Sequence, residues 1–138
     1  MKKRIFSRVL ALVMAMSLLS TTAFAASFSQ LQDAIDGNGG YDLGGGRYGY
    51  GDQIADSSNY AIEAWEDNGT RNVQLNDTVE RNTGEGSILV SGNEKDVVLD
   101  LNGQVIDGKN VDVLPTWEAS GSVIKVNGGA HLTIDDTS

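Results

Sequence analysis

From about residue 70 onward, the apolar residues of this 138-residue chain fall in short alternating runs. They are Val73-x-Leu75, Ile88-x-Val90, Val97-Val98-Leu99-x-Leu101, Val105-Ile106, Val123-Ile124-x-Val126 and Leu132-x-Ile134. Gly, Asn or Asp stands between one run and the next, which predicts many short strands joined by tight turns. Upstream the period changes. Phe28, Leu31, Ala34 and Ile35 share one helical face, with Ser27 or Ser29 placed to cap the N-terminus, so residues 26–36 predict a short amphipathic capping helix. Gly37-Asn38-Gly39-Gly40 ends it. Residues 37–70 show neither period. Rich in Gly and carrying Tyr41, Tyr48, Tyr50, Tyr60 and Trp65, they read as an irregular insertion with a helical turn near residues 61–65.

The first 25 residues follow a different rule. Lys2, Lys3, Arg4 and Arg8 precede an unbroken apolar run over residues 9–19, and small residues lead to Ala23-Phe24-Ala25. That order is the pattern of a secretory signal peptide, with Ala23 and Ala25 as the small residues read by the peptidase. Cleavage is expected between Ala25 and Ala26. The run is too short for the roughly 20 residues that cross a bilayer core, so no stable membrane span is expected after cleavage. The expected destination is outside the cell, secreted or at the cell surface.

The strand runs also repeat. Val73-Gln-Leu75-Asn76-Asp-Thr-Val79 aligns with Leu99-Asp-Leu101-Asn102-Gly-Gln-Val105, and Leu132-Thr-Ile134-Asp135 aligns with the start of both. In a second phase, Ile88-Leu-Val90-Ser-Gly92 aligns with Ile124-Lys-Val126-Asn-Gly128. An insertion around residues 111–120, containing Pro115 and Trp117, accounts for the longer second spacing. Repeated short strands at such a period predict a solenoid whose equivalent positions stack in ladders, with Asn76, Asn102 and Asp135 at a shared turn. An antiparallel meander or small sandwich uses the same short strands.

Residues 97–108, Val-Val-Leu-Asp-Leu-Asn-Gly-Gln-Val-Ile-Asp-Gly, followed by Ser122-Val-Ile-Lys-Val126 and Leu132-Thr-Ile-Asp-Asp136, resemble the first coils of pectin-lyase-like, right-handed parallel β-helix proteins. The helix would correspond to their N-terminal cap. The resemblance implies a mainly β fold, a right-handed parallel β-helix fragment, with residues 71–138 as its first coils and further coils expected beyond them. It also implies a bacterial, exported, adhesin-like surface protein, with a polysaccharide-degrading enzyme as the alternative. The motifs mark architecture, and no catalytic residue is carried over from them.

Charge and chemistry narrow this further. Without residues 1–25, six Lys and Arg remain against 19 Asp and Glu. So acidic a chain argues against nucleic acid or anionic lipid as a partner. There is no cysteine, so neither disulfides nor thiolate metal sites contribute. His131 is the sole histidine, and a histidine-based metal site or nucleophile relay is not expected. Acidic pairs occur at Glu66-Asp67, Asp135-Asp136, and Asp100 with Asp107, as chance provides in so acidic a chain. No cofactor is expected. The aromatic residues, Tyr48, Tyr50, Trp65 and Trp117 foremost, are candidates for stacking on sugar rings, which would make this a small carbohydrate-binding module. The expected partners are cell-wall or host polysaccharide, or the rest of a longer chain.

Overall fold

The computed structural model describes residues 25–55, 57–109 and 122–138. The signal-peptide reading of residues 1–24, with Ala23, and the insertion around Trp117 lie outside the described residues. Eleven strands and one helix are described: β1 (Ala26–Ser27), α1 (Phe28–Asp36), β2 (Tyr41–Gly44), β3 (Arg47–Gln53), β4 (Tyr60–Asp67), β5 (Thr70–Leu75), β6 (Val79–Glu80), β7 (Ile88–Ser91), β8 (Asp96–Asp100), β9 (Ile106–Asp107), β10 (Ile124–Asn127) and β11 (His131–Asp135). The fold is mainly β.

The strands form three sheets, ordered β1-β6-β9, β10-β7 and β11-β8-β5-β4-β3-β2. The largest is mixed. β2, β3, β4 and β5 pair antiparallel in succession, whereas β5, β8 and β11 pair parallel. This overturns the expected parallel β-helix and, with it, the resemblance to pectin-lyase-like proteins. The physical reason lies in residues 37–70, read above as irregular. Asn68 and Gly69 both have positive φ, at 50° and 82°. That is the conformation of a two-residue hairpin turn whose twist matches its flanking strands. It folds β5 back on β4 with Asp67 opposite Thr70. Residues 61–65 are accordingly strand and not a helical turn.

Two of the aligned pairs are parallel register partners: Val73 with Leu99, and Ile88 with Ile124. The third alignment is displaced by two residues, because Leu132 pairs with Val97 and Ile134 with Leu99. Asn102 donates through Nδ2 to the Leu75 carbonyl at 3.1 Å and to Asn76 Oδ1 at 3.3 Å, so those two side chains do meet at a turn. Asp135 does not join them; it lies opposite Asp100.

Alternation sorts the side chains. Val73 and Leu75 of β5, Ile88 and Val90 of β7, and Val97 and Leu99 of β8 are buried against Ile62 and Ala64 of β4. Phe28, Leu31, Ala34 and Ile35 of α1 complete this core, as the helical period predicts. Ser27 caps the helix: its Oγ accepts from Gln30 N at 3.1 Å, while Gln30 Oε1 accepts from Ser27 N at 2.9 Å. On the outer side of α1, Gln32 reaches the free edge of β7. Its amide accepts from Leu89 N at 2.7 Å and donates to Leu89 O at 2.8 Å, covering an edge that would otherwise stay unpaired.

The two N–H groups left by the Ser27 cap belong to Phe28 and Ser29. Glu85 accepts both, at 3.2 and 3.0 Å, together with Ser29 Oγ at 2.7 Å and Asn82 N at 2.7 Å. A carboxylate at a helix N-terminus is also favoured by the helix dipole. Partial burial opposes its ionisation, but the bonds from Asn82, Ser29 and Phe28 win and hold the Glu85 carboxyl below its ordinary value. A depressed folded-state pKa contributes stability above the unfolded pKa and loses it as pH falls through the folded one. Glu85→Gln is therefore expected to cost about 1–2 kcal/mol at neutral pH. In urea unfolding, the gap between variant and wild type should close as the solution is acidified below the ordinary glutamate range.

Candidate functional site

The antiparallel half of the large sheet has an outer face that the core does not use. Register places Arg47 opposite Trp65, and Gly49 opposite both Glu63 and Tyr41. Gly49 matters because it has no side chain. A Cβ there would come within 2.5 Å of the Tyr60 ring, so the glycine lets that ring lie flat on the strand. Tyr41 stacks on Tyr60 with ring centroids 5.3 Å apart and planes 20° from parallel. The Tyr41 ring is 62% exposed.

Beside this stack, the Arg47 guanidinium sits 3.9 Å from the centre of the Trp65 ring. Its Nε donates to Glu63 Oε1 at 2.9 Å, and its Nη2 donates to Gln74 Oε1 at 3.4 Å. Glu63 is only 5% exposed yet fully engaged, for its Oε2 also accepts from Tyr60 N at 3.2 Å and Asn76 Nδ2 at 3.0 Å. Asn76 in turn donates to the Tyr60 carbonyl at 2.9 Å. The acid thus fixes both the arginine and the strand carrying Tyr60. The result is an aromatic surface held rigid by a charged network beneath it.

Of the aromatic residues singled out from sequence, Trp65 belongs to this face and Trp117 lies outside the described residues. Tyr48 is half-buried against the core. Tyr50 is 6% exposed; its hydroxyl donates to Gly39 O at 3.2 Å and accepts from Arg71 Nη2 at 3.2 Å, so its ring offers no open face. Arg47 and Glu63 were missed as partners of the aromatic residues. Their signal was the alternation of Arg47, Gly49 and Gly51 with Tyr48 and Tyr50. At the expected cleavage point, Ala26 is buried in β1, and its N–H donates to Thr78 O at 3.0 Å.

Of the acidic pairs, Asp100 with Asp107 and Asp135-Asp136 act as turn acceptors. Asp100 accepts from Asn102 N at 2.9 Å and from Thr137 N and Oγ1 at 3.0 and 2.6 Å. Some desolvation pushes its pKa up, but the Thr137 and Asn102 bonds bring it below the ordinary aspartate value. Asp136 is lowered by Ser138 and by the Gly103 N–H. Asp107 lies on β9, in a different sheet from Asp100. Among the described residues, no three His, Cys, Asp or Glu side chains cluster as a metal site, and no helix is long and apolar enough to cross a membrane.

No protein-family model matches this chain, and neither a curated protein nor a solved structure matches it.

Proposed function

We propose that this chain is a non-catalytic, exported surface module that adheres to neutral polysaccharide through the outer face of β2, β3 and β4. The observation carrying the proposal is the Tyr41–Tyr60 stack, with Tyr41 open to solvent, on the same sheet face as Trp65. Sugar rings present apolar C–H faces, and rigid aromatic surfaces bind them at little conformational cost. Gln74 and Asn72 on β5 lie along the same outer face and supply polar groups for hydroxyls. Arg47 is already engaged by Glu63, and the chain as a whole is acidic, so an acidic glycan is disfavoured. Export is supported by the charged, apolar and small-residue order of residues 1–25.

The chain recovered from culture medium should begin at Ala26 by intact mass and be retarded in native gels containing a neutral glucan, mannan or xylan. Tyr41→Ala is expected to weaken that retention about fivefold to tenfold, the worth of one aromatic contact. Retention unchanged by Tyr41→Ala, or no retention by any neutral polysaccharide, would sink the proposal.

A further inference from the structure

The large sheet ends at β11, which has no partner on its outer side among the described residues. His131 N donates to Lys95 O at 2.8 Å and Asp135 O accepts from Leu101 N at 2.8 Å, so the backbone groups of residues 131 and 135 point inward, toward β8. Along a strand these directions alternate. Thr133 therefore also faces β8, and the N–H and C=O groups of Leu132 and Ile134 point out from the open edge. Ile134 on this strand is 54% exposed.

We infer that β11 is a self-pairing edge through which two copies of this chain form a two-fold dimer. An antiparallel pairing centred on Thr133 sets Leu132 opposite the partner's Ile134, and Ile134 opposite the partner's Leu132. Both residues present outward N–H and C=O groups, so each such pair can exchange two hydrogen bonds, four in all. Moving the centre to Leu132 or Ile134 keeps the outward groups matched but loses the Leu132–Ile134 pairs. Leu132 and Ile134 lie on the core side, opposite Val97 and Leu99, so the contact would extend the apolar interior across the axis.

The same centring places His131 opposite the partner's Asp135, in the closer, non-hydrogen-bonded type of pair. A ring N–H donor thus meets a carboxylate twice per dimer. Asp96 is the neighbour of His131 on β8, and Asp100 is that of Asp135. A parallel, head-to-tail contact would instead set Asp135 near another acid column without a compensating donor. Unprotected edges pair readily, and at physiological salt a Debye length of about 8 Å screens the chain's net negative charge.

Sedimentation velocity on the purified chain at physiological salt tests this. A concentration-dependent dimer is expected. Ile134→Pro removes an outward N–H without touching a bond to β8 and should weaken dimerisation at least about tenfold. Asp135→Lys should do the same by facing a cation to His131, and adding His131→Asp should restore the dimer by swapping the pair. Far-ultraviolet circular dichroism and Trp65 fluorescence check that each variant keeps its fold. A monomer at every concentration, assemblies growing beyond two copies, or a dimer indifferent to both the proline and the charge swap would each overturn the inference.

Discussion

Replacing Arg71 by alanine is expected to cost about 2–4 kcal/mol of stability, because interior polar groups lose their donor and the buried stem its packing. For a domain of this size that means a fall in melting temperature on the order of 10 °C. Arg71 is 7% exposed and points from β5 into the core, in phase with Val73 and Leu75. Its Nε donates to the Ala34 carbonyl at 2.8 Å and its Nη2 to the Tyr50 hydroxyl at 3.2 Å. Ala34 lies in the last turn of α1, where carbonyls have no helical partner and the dipole favours a cation. The helix has no basic residue of its own in that turn. Arg71 supplies one from the sheet, and its guanidinium packs about the Gly37 cap, 3.6 Å from where a Cβ would stand. Glu66, 3.8 Å away and largely exposed, adds little. Truncation would leave the Ala34 carbonyl without a partner in the interior and the Tyr50 hydroxyl with the Gly39 carbonyl alone. Arg71→Lys should recover part of the loss, because one ammonium can reach the carbonyl but cannot bridge both groups. Thermal and urea unfolding of the two variants measures the difference.

Leu99→Ala is expected to cost about 2–5 kcal/mol. Leu99 is fully buried in β8, the strand joining the antiparallel and the outermost parallel parts of the large sheet. Its register partners are Val73 on one side and Ile134 on the other. A cavity there removes contacts from both neighbours at once, and strand backbones held by ladders on each side cannot collapse into it. Leu89→Ala makes the comparison. Leu89 sits on a strand of similar length but is 40% exposed, and its change should stay within about 1 kcal/mol. Equal effects for the two would show that β8 is not central to the core.

Much of the local structure was legible in the residues. Ser27, Phe28, Leu31, Ala34 and Ile35 predict the helix, its cap and its buried face, and each does what its position implies. The alternating runs predict β5 and β7–β11, and in β5, β7 and β8 the inward positions as well. One strong signal was passed over. Asn68-Gly69 between two apolar stretches is a hairpin turn in its own right, yet the density of glycine and tyrosine around it made residues 37–70 look structureless. Aromatic residues and glycine were read there as loop chemistry, although Tyr48, Tyr50 and Tyr60 are good strand residues. Gly49 breaks their propensity only so that a ring can lie on it.

The candidate site was less visible, because its five members acquire meaning only together. Tyr41, Arg47, Tyr60, Glu63 and Trp65 are spread over three strands. Nothing in their spacing says that Arg47 faces Trp65 or that Glu63 ties Arg47 and Tyr60 to Asn76. Tyr48 and Tyr50 look equivalent to Tyr41 and Tyr60 in the chain, but the pleat sends them to the opposite face.

By itself the sequence determined the helix, the strands β5 and β7–β11, and which side of the helix is apolar, since those follow from periods of 2.0 and 3.6 residues. It also determined the acidic, cysteine-free chemistry that any function must use. Only the tertiary structure decided the direction of pairing. An inward-outward alternation looks the same to a parallel and to an antiparallel neighbour, and the choice is made by connections. A two-residue turn at Asn68-Gly69 forces β4 and β5 antiparallel, while the longer path from β5 to β8 permits a parallel return. That choice creates the mixed sheet, its aromatic outer face and, among the described residues, an edge at β11 with no strand beyond it. It also carries Arg71 to the end of α1, where an otherwise costly buried cation has a carbonyl to bind.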